Sequence, residues 1–296
     1  MEMRPNRTIS PNRILSFQIQ ITSTRSPSFL QQESTKHNRP RKNKTYIKQV
    51  AGGGGLWYSI VYERRLPFMD LENWLKEYEE KITGLFHSRI LFLGLQGSCS
   101  RGEADENSDI DVVLILDQVT ADDLKQYRKA IDHMDYREKI CGFVAGEKEI
   151  SGWDRADLFQ FYYDTVPIIG SLDYFVPAPG REEAVRAVVA GACGIYHSAS
   201  HNFLHGQSGA VLNGLCKTAA FVMRARLFCE TGTFFRTRAE LYAAADKTER
   251  ELLDAGQRLK SDETLLKAEF ETITQTLLSW TSEMVQKYSK QVGKYI

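Results

Sequence analysis

No stretch of this 296-residue chain approaches about eighteen consecutive apolar residues, so the sequence offers no membrane-spanning helix. No charged-then-apolar segment opens it, so it shows no secretory signal either. Cysteine is scarce and poorly spaced: Cys99, Cys141, Cys193, Cys216 and Cys229 form no C-x-x-C pair, and an odd count closes no disulfide framework. Reduced thiols in a soluble cytoplasmic protein are the expectation. Net charge is also missing, but its balance of zero hides an asymmetry. Residues 1–68 hold 12 Lys/Arg against 3 Asp/Glu, a balance of +9, and the rest of the chain carries −9. An acidic body argues against gripping a long nucleic acid, because that affinity comes largely from Lys and Arg neutralising phosphates. A small or cationic partner suits it better. No internal repeat is visible, and 42% hydrophobic residues over this length suffice for two domains.

Proline is concentrated at one end, with five of the eight within residues 1–68. Residues 1–50 are rich in Ser, Thr, Asn, Gln and Arg without a sustained period, so disorder is expected over 1–68. Such a basic segment reads as a binding arm, as an organellar transit peptide, or as an upstream region translated from a mistaken start. The third reading has a codon-level argument. Glu63-Arg64-Arg65 can be written GAA-AGG-AGG, a bacterial ribosome-binding sequence, with Met69 close behind. Intact mass of the native protein tests it, and a mass matching a start at Met1 contradicts it.

What is present is concentrated between Gly97 and Val113: Gly-Ser-Cys-Ser-Arg-Gly-Glu-Ala-Asp-Glu-Asn-Ser-Asp-Ile-Asp-Val-Val. Apolar runs at 91–95 and 112–116 read as short buried strands on either side of a tight turn. Successive side chains of a strand point to opposite faces, so Asp109 and Asp111 share one face and Ile110 and Val112 the other. Two carboxylates aimed at one point suit a divalent cation. Gly97 lets backbone approach a ligand, and Ser98 adds a hydroxyl and an amide donor fit for a phosphate oxygen. A hairpin with solvated acids would explain Ser108 and Asp109 through turn chemistry, but neither the upstream Gly-Ser nor the second acid.

These residues resemble the nucleotidyltransferases of the DNA polymerase beta superfamily. Their signature is Gly-Ser, a spacer of about ten residues, then acidic-apolar-acidic-apolar. The fuller form in small bacterial members is matched by Gly97, Ser98, Arg101, Gly102, Ser108, Asp109 and Asp111. The resemblance implies transfer of a nucleoside monophosphate from an NTP, ATP foremost, to an acceptor hydroxyl, with two Mg2+ ions clamping the attacking and leaving oxygens. Asp109 and Asp111 become metal ligands and catalytic residues. Gly97, Ser98, Arg101 and Ser108 belong to nucleotide binding, Arg101 either neutralising a phosphate or fixing the loop. The family also takes a third carboxylate from a neighbouring strand, as metal ligand or as base. Asp157, opening the aromatic run 157–163, is the choice here, with Glu147 and Asp164 as alternatives.

The rest of the sequence organises around this motif. A helix capped by Asp70 carries Leu71, Trp74, Leu75, Tyr78, Ile82, Leu85 and Phe86 at helical spacing. It leads into a strand over 89–96. A second helix follows at Leu124 to Met134, and strands are expected at 140–145, 157–163 and 166–172, giving a small mixed sheet. Beyond Pro177-Ala178-Pro179-Gly180 only helical patterns appear: one ending near His205, one over 209–231 closed by Gly232, a shorter pair over 238–259 and a long one over 262–288. The fold class is α+β, with a nucleotidyltransferase domain over 69–180 and an α-helical bundle over 181–296 that would hold the acceptor. This order of domains is similar to kanamycin nucleotidyltransferase and its relatives.

Asn213, Lys217 and Arg224 fall near one helix face, and Lys217 and Arg224 are candidates to reach the triphosphate. A solvated charged face explains them equally. His197, His201 and His205 recur every four residues, as a zinc site, as the lining of an acceptor pocket or as a plain polar face. Three functions follow: modification of a small acceptor such as an aminoglycoside-like antibiotic, modification of a protein in the manner of antitoxin-type members, or nucleotide binding without turnover. A homodimer could complete the site, as it does in some relatives.

Overall fold

A computed structural model describes the backbone of residues 45–52, 55–62, 65–66, 69–261 and 265–292. Within the segment expected to lack order, β1 (Thr45–Gly52) and β2 (Gly55–Tyr62) pair antiparallel from Thr45 opposite Tyr62 to Gly52 opposite Gly55. The polar composition of 1–50 masked a local concentration of β-formers: Tyr46, Ile47, Val50, Trp57, Tyr58, Ile60 and Val61. The remainder of that expectation, residues 1–44, 53–54, 63–64 and 67–68, lies outside the described residues. A short ladder of β3 (Arg65–Leu66) and β4 (Met69–Asp70) follows.

Helix α1 (Leu71–Phe86) starts where its cap requires, with the Asp70 carboxylate accepting from the Asn73 amide at 3.3 Å. Leu71, Trp74, Tyr78, Ile82 and Phe86 are buried on one stripe. After it come β5 (Ile90–Gln96), the single-turn helix α2 (Gly97–Arg101), β6 (Ile110–Leu116), α3 (Ala121–Ile131), β7 (Ile140–Gly146), α4 (Glu147–Ser151), α5 (Arg155–Asp164) and β8 (Val166–Ile169). The sheet runs β7-β6-β5-β8. The β5 strand pairs antiparallel with both β6 and β8, and β6 runs parallel to β7, so the sheet is mixed as expected. Alternation along β6 divides the burial. Ile110, Val112 and Leu114 join the α1 stripe, while Val113 and Ile115 pack with Ile150 and Leu158 on the other face.

The aromatic run at 157–163 is helix α5 and not the strand its composition suggests. Asp154 caps it, accepting from the Ala156 amide at 2.8 Å. The helix is wedged between two cores: Leu158, Phe161 and Tyr162 face the sheet, whereas Phe159 and Tyr163 face the helices that follow. A helix buried on two sides loses its polar stripe, and its sequence then reads like a buried strand.

Helix α6 (Arg181–His201) continues into a π turn over Asn202–Gly206, and α7 (Gly209–Thr231), α8 (Arg238–Ala244), α9 (Lys247–Ser261) and α10 (Leu265–Val292) complete the helical part. Ser208 caps α7, and Gly232, at φ +71°, ends it in the left-handed conformation, at the boundary the sequence marks. Ala184, Val188, Ala192 and Ile195 of α6 meet Leu212, Ala219 and Met223 of α7 and Leu277 and Trp280 of α10 in one apolar cluster. Among the described residues, no helix is long and apolar enough to cross a membrane.

Candidate active site

The motif residues converge where β5 ends and β6 begins. Asp111 lies opposite Gln96 on β5 and opposite Cys141 on β7. Gly97 leaves β5 at φ +72°, and a Cβ there would run into the Asp111 carboxylate. Glycine is therefore demanded twice, by the backbone conformation and by the acid it lies against. The turn closes with the Glu103 amide donating to the Ser98 carbonyl at 2.9 Å, and with Gly102 at φ +72°. Buried Cys99 ties it to the entrance of β6, its thiol donating to the Asp109 carbonyl at 3.3 Å. Burial, then Asp111 and Asp109, push that thiol up to about 12, so it stays an un-ionised packing group. Ser108 is used within the intervening loop. Its oxygen accepts from the Asp105 amide at 2.9 Å, and its hydroxyl lies 3.2 Å from the Asp105 carboxylate. The structure thus gives Ser108 a loop-shaping contact.

Neither Asp109 nor Asp111 takes a hydrogen bond or ion pair on its carboxylate from another described residue. Asp111 is half-buried, and its carboxyl is pushed up to about 6, first by burial, then by the charges of Asp109 and Asp164, with Arg101 pulling the other way. A half-buried acid that resists ionisation, set beside a second carboxylate, is a place that favours a bound cation. Asp111 bears directly on Gly97, so Gly97→Ala should displace the carboxylate. We expect it to lower stability by about 1–2 kcal/mol through the left-handed backbone and transfer by roughly 100-fold through misplacement. Denaturant melts and initial rates check this.

The third acid departs from expectation. Neither strand beside β6 carries a carboxylate: β7 presents Cys141 opposite Asp111, and β5 presents Gln96. The acid whose charge reaches Asp111 is Asp164, at the end of α5. Its carboxylate holds Arg101 through both oxygens, at 2.6 and 2.7 Å, with 4% of the Asp164 side chain and 11% of the Arg101 side chain exposed. Arg101 also pairs with Glu103 at 2.9 Å. Of its two expected roles, fixing the loop is the one its contacts serve. Asp157 lies elsewhere: it is exposed on the first turn of α5, where burial and Asp154 raise its carboxyl and Arg186 lowers it. The structure does not bring it to Asp109 and Asp111. Glu147 is likewise exposed, at the start of α4.

The helical residues also separate. Lys217 is exposed on α7, whereas Arg224, 4% exposed, spends its guanidinium on the carbonyls of Phe235 at 3.0 Å and of Ala220 and Arg236 at 3.3 Å. Burial and then Arg101 push Arg224 down to about 10. It braces the loop between α7 and α8, whose Arg236 reaches Ser100 of the motif turn, whereas the sequence suggested a phosphate contact for it. His197, His201 and His205 form an exposed column with neighbouring ring centroids 6.3 and 4.8 Å apart, and no group of three or more His, Cys, Asp or Glu side chains among the described residues is arranged to hold a metal.

Residues 75–155, from within α1 to the start of α5, match the sequence model of the nucleotidyltransferase domain. That span holds Gly97, Ser98, Asp109 and Asp111 in the geometry just described. The chain thus carries a nucleotidyltransferase domain over this span. A spectinomycin adenyltransferase, AAD(9), from Enterococcus faecalis, solved with ATP and spectinomycin, is similar over 70% of this chain and 98% of its own, at 11% identity and a TM-score of 0.45. No curated protein matches the chain.

Proposed function

We propose that the enzyme moves a nucleoside monophosphate from ATP to a hydroxyl of a small acceptor. The observation that carries the reading is the uncompensated acid pair Asp109 and Asp111 against the side-chain-free bend at Gly97. Two oxygen-donor acids without a cation of their own fit magnesium, a hard ion that takes one or two carboxylates and fills the rest of its shell from phosphate and water. Asp109 and Asp111 would hold it, and bound there it supplies positive charge for the α-phosphate and the leaving oxygens.

The chain's own part is placement. Gly97 and the Ser98 amide and hydroxyl face the triphosphate. Arg101, locked on Asp164 and Glu103, keeps that bend in one shape. In the reaction the acceptor oxygen forms a new bond to the α-phosphorus, the bridge to the β-phosphate breaks, pyrophosphate departs and the hydroxyl proton goes to solvent. Little covalent work falls to the protein, so alignment and charge carry the catalysis. Residues 69–180 would form the catalytic domain, and 181–296 would supply the acceptor pocket. The helical part reaches the motif turn through Arg236 and Arg238, on a segment that Arg224 braces. A body carrying −9 draws cationic acceptors, which favours an aminoglycoside-like molecule.

Incubation with ATP labelled at the α-phosphate, Mg2+ and panels of aminoglycosides, lincosamides and cell extract tests the reading. Label on a small molecule supports it. Label only on protein places the acceptor among macromolecules, and saturable binding without transfer removes the enzymatic step.

A further inference from the structure

We infer that Arg236, on the loop between α7 and α8, is a positioning residue for the nucleotide bend, acting through Ser100. Its guanidinium Nη2 lies 2.9 Å from the Ser100 hydroxyl, 136 residues away in sequence, and 3.1 Å from the Asp164 carbonyl. Ser100 is 5% exposed, and two carbonyls lie within reach of its single hydroxyl proton, Gly97 at 2.9 Å and Asp164 at 3.2 Å; Arg236 already donates to the Asp164 carbonyl, which leaves the proton to the nearer Gly97. These contacts form a relay: the arginine donates to the serine oxygen, and the serine proton is thereby directed onto Gly97. A hydrogen bond received from a charged donor polarises the hydroxyl and strengthens the bond it gives.

The consequence comes from peptide planarity. The Gly97 carbonyl and the Ser98 N–H belong to one rigid peptide unit and point in opposite directions. Holding the carbonyl from the Ser100 side therefore aims the Ser98 N–H out of the bend, toward the place a triphosphate oxygen would take. Gly97 gives that unit freedom to swing, since its backbone stands at φ +72°, where glycine moves with little steric penalty. Without a tether, this donor is the part of the site most easily lost. A second tie keeps the loop in place: the Arg238 amide donates to the Glu103 carboxylate, which also grips Arg101. The helical part thus sets the direction of a donor in the catalytic part without touching substrate.

The inference rests on the reading that this bend holds the triphosphate. The experiment therefore reads nucleotide binding as well as transfer, using Arg236→Ala, Ser100→Ala, the double variant and Arg236→Lys. Affinity for ATP with Mg2+ is measured by calorimetry, and amide exchange is followed at Ser98. Each single variant should weaken ATP by roughly tenfold and speed Ser98 exchange. The double variant should be no worse than the weaker single, because both changes break one relay. Arg236→Lys, which can still donate to Ser100, should recover most of the affinity.

Losses that multiply to about a hundredfold in the double variant would overturn the inference, since Arg236 would then act independently of Ser100. Unchanged affinity in the single variants overturns it too. Should Arg236→Ala fail to fold, Ser100→Ala carries the same test, with unchanged Ser98 exchange counting against. A wild-type chain that binds no ATP sinks this inference together with the reading of the bend. Binding without transfer to any acceptor sinks the transfer reading alone.

Discussion

Asp111→Asn should lower nucleotidyl transfer by at least about 1000-fold, a loss on the scale of removing a preorganised electrostatic group, while making the metal-free protein more resistant to heat above pH 7. The two effects share a cause. In the fold the Asp111 carboxyl is pushed up to about 6 by burial and by Asp109 and Asp164, against an ordinary value near 4. The folded state therefore holds this proton more tightly than the unfolded chain does. Stability from this group is full at low pH, declines as pH rises from about 4 through 6, and is at its lowest above that. Asparagine removes the penalty, which amounts to about 1–3 kcal/mol for a shift of this size in a partly solvated group. Melting curves in chelator at pH 4 and pH 8 check it: the variant should match wild type at pH 4 and exceed it at pH 8. A variant that keeps its activity, or melts lower at pH 8, contradicts the assignment of Asp111 as an acid strained to receive a cation.

The largest loss of stability should come from Asp164→Ala. Its carboxylate is the partner that makes a buried Arg101 tolerable, and Arg224 and Arg236 crowd the same place. Removing it leaves the guanidinium beside Arg224 and Arg236 with only the more exposed Glu103 to offset it, which costs about 3 kcal/mol, the lower end for a buried pair broken on one side. Replacing both partners by apolar residues should cost less than the single change, because no uncompensated charge remains. Urea unfolding of Asp164→Ala and of the pair Arg101→Met with Asp164→Leu measures the difference. A single-variant loss below about 1 kcal/mol would show that the pair is solvated and its burial of no consequence.

Those residues also show how far the sequence could be read. The position of the bend was legible because it is local: Gly97 and Ser98 follow β5 directly, and Asp109 and Asp111 stand at the start of β6, its antiparallel neighbour. The start of α1 at Asp70 and the end of α7 at Gly232 were legible for the same reason, as both are set by caps within a few residues. What failed was what depends on two packing partners at once. The α5 run shows apolar residues on both sides because it separates two cores, and the sequence cannot distinguish that from a strand. Arg224 looked available on a helical wheel, yet it is roofed by the loop through Phe235 and Arg236. The link from Arg236 to Ser100 joins residues 136 positions apart and leaves no periodic trace. One signal was available for Asp164: it is an acid at the end of an aromatic run, and Arg101 in the motif needed a partner.

The most direct test of the whole account is a crystal structure with a nonhydrolysable ATP analogue and Mg2+. A cation is expected between Asp109 and Asp111, with the triphosphate against the Gly97–Ser98 bend. A nucleotide bound elsewhere, or a triphosphate at the bend with both carboxylates turned away from the cation, would contradict it.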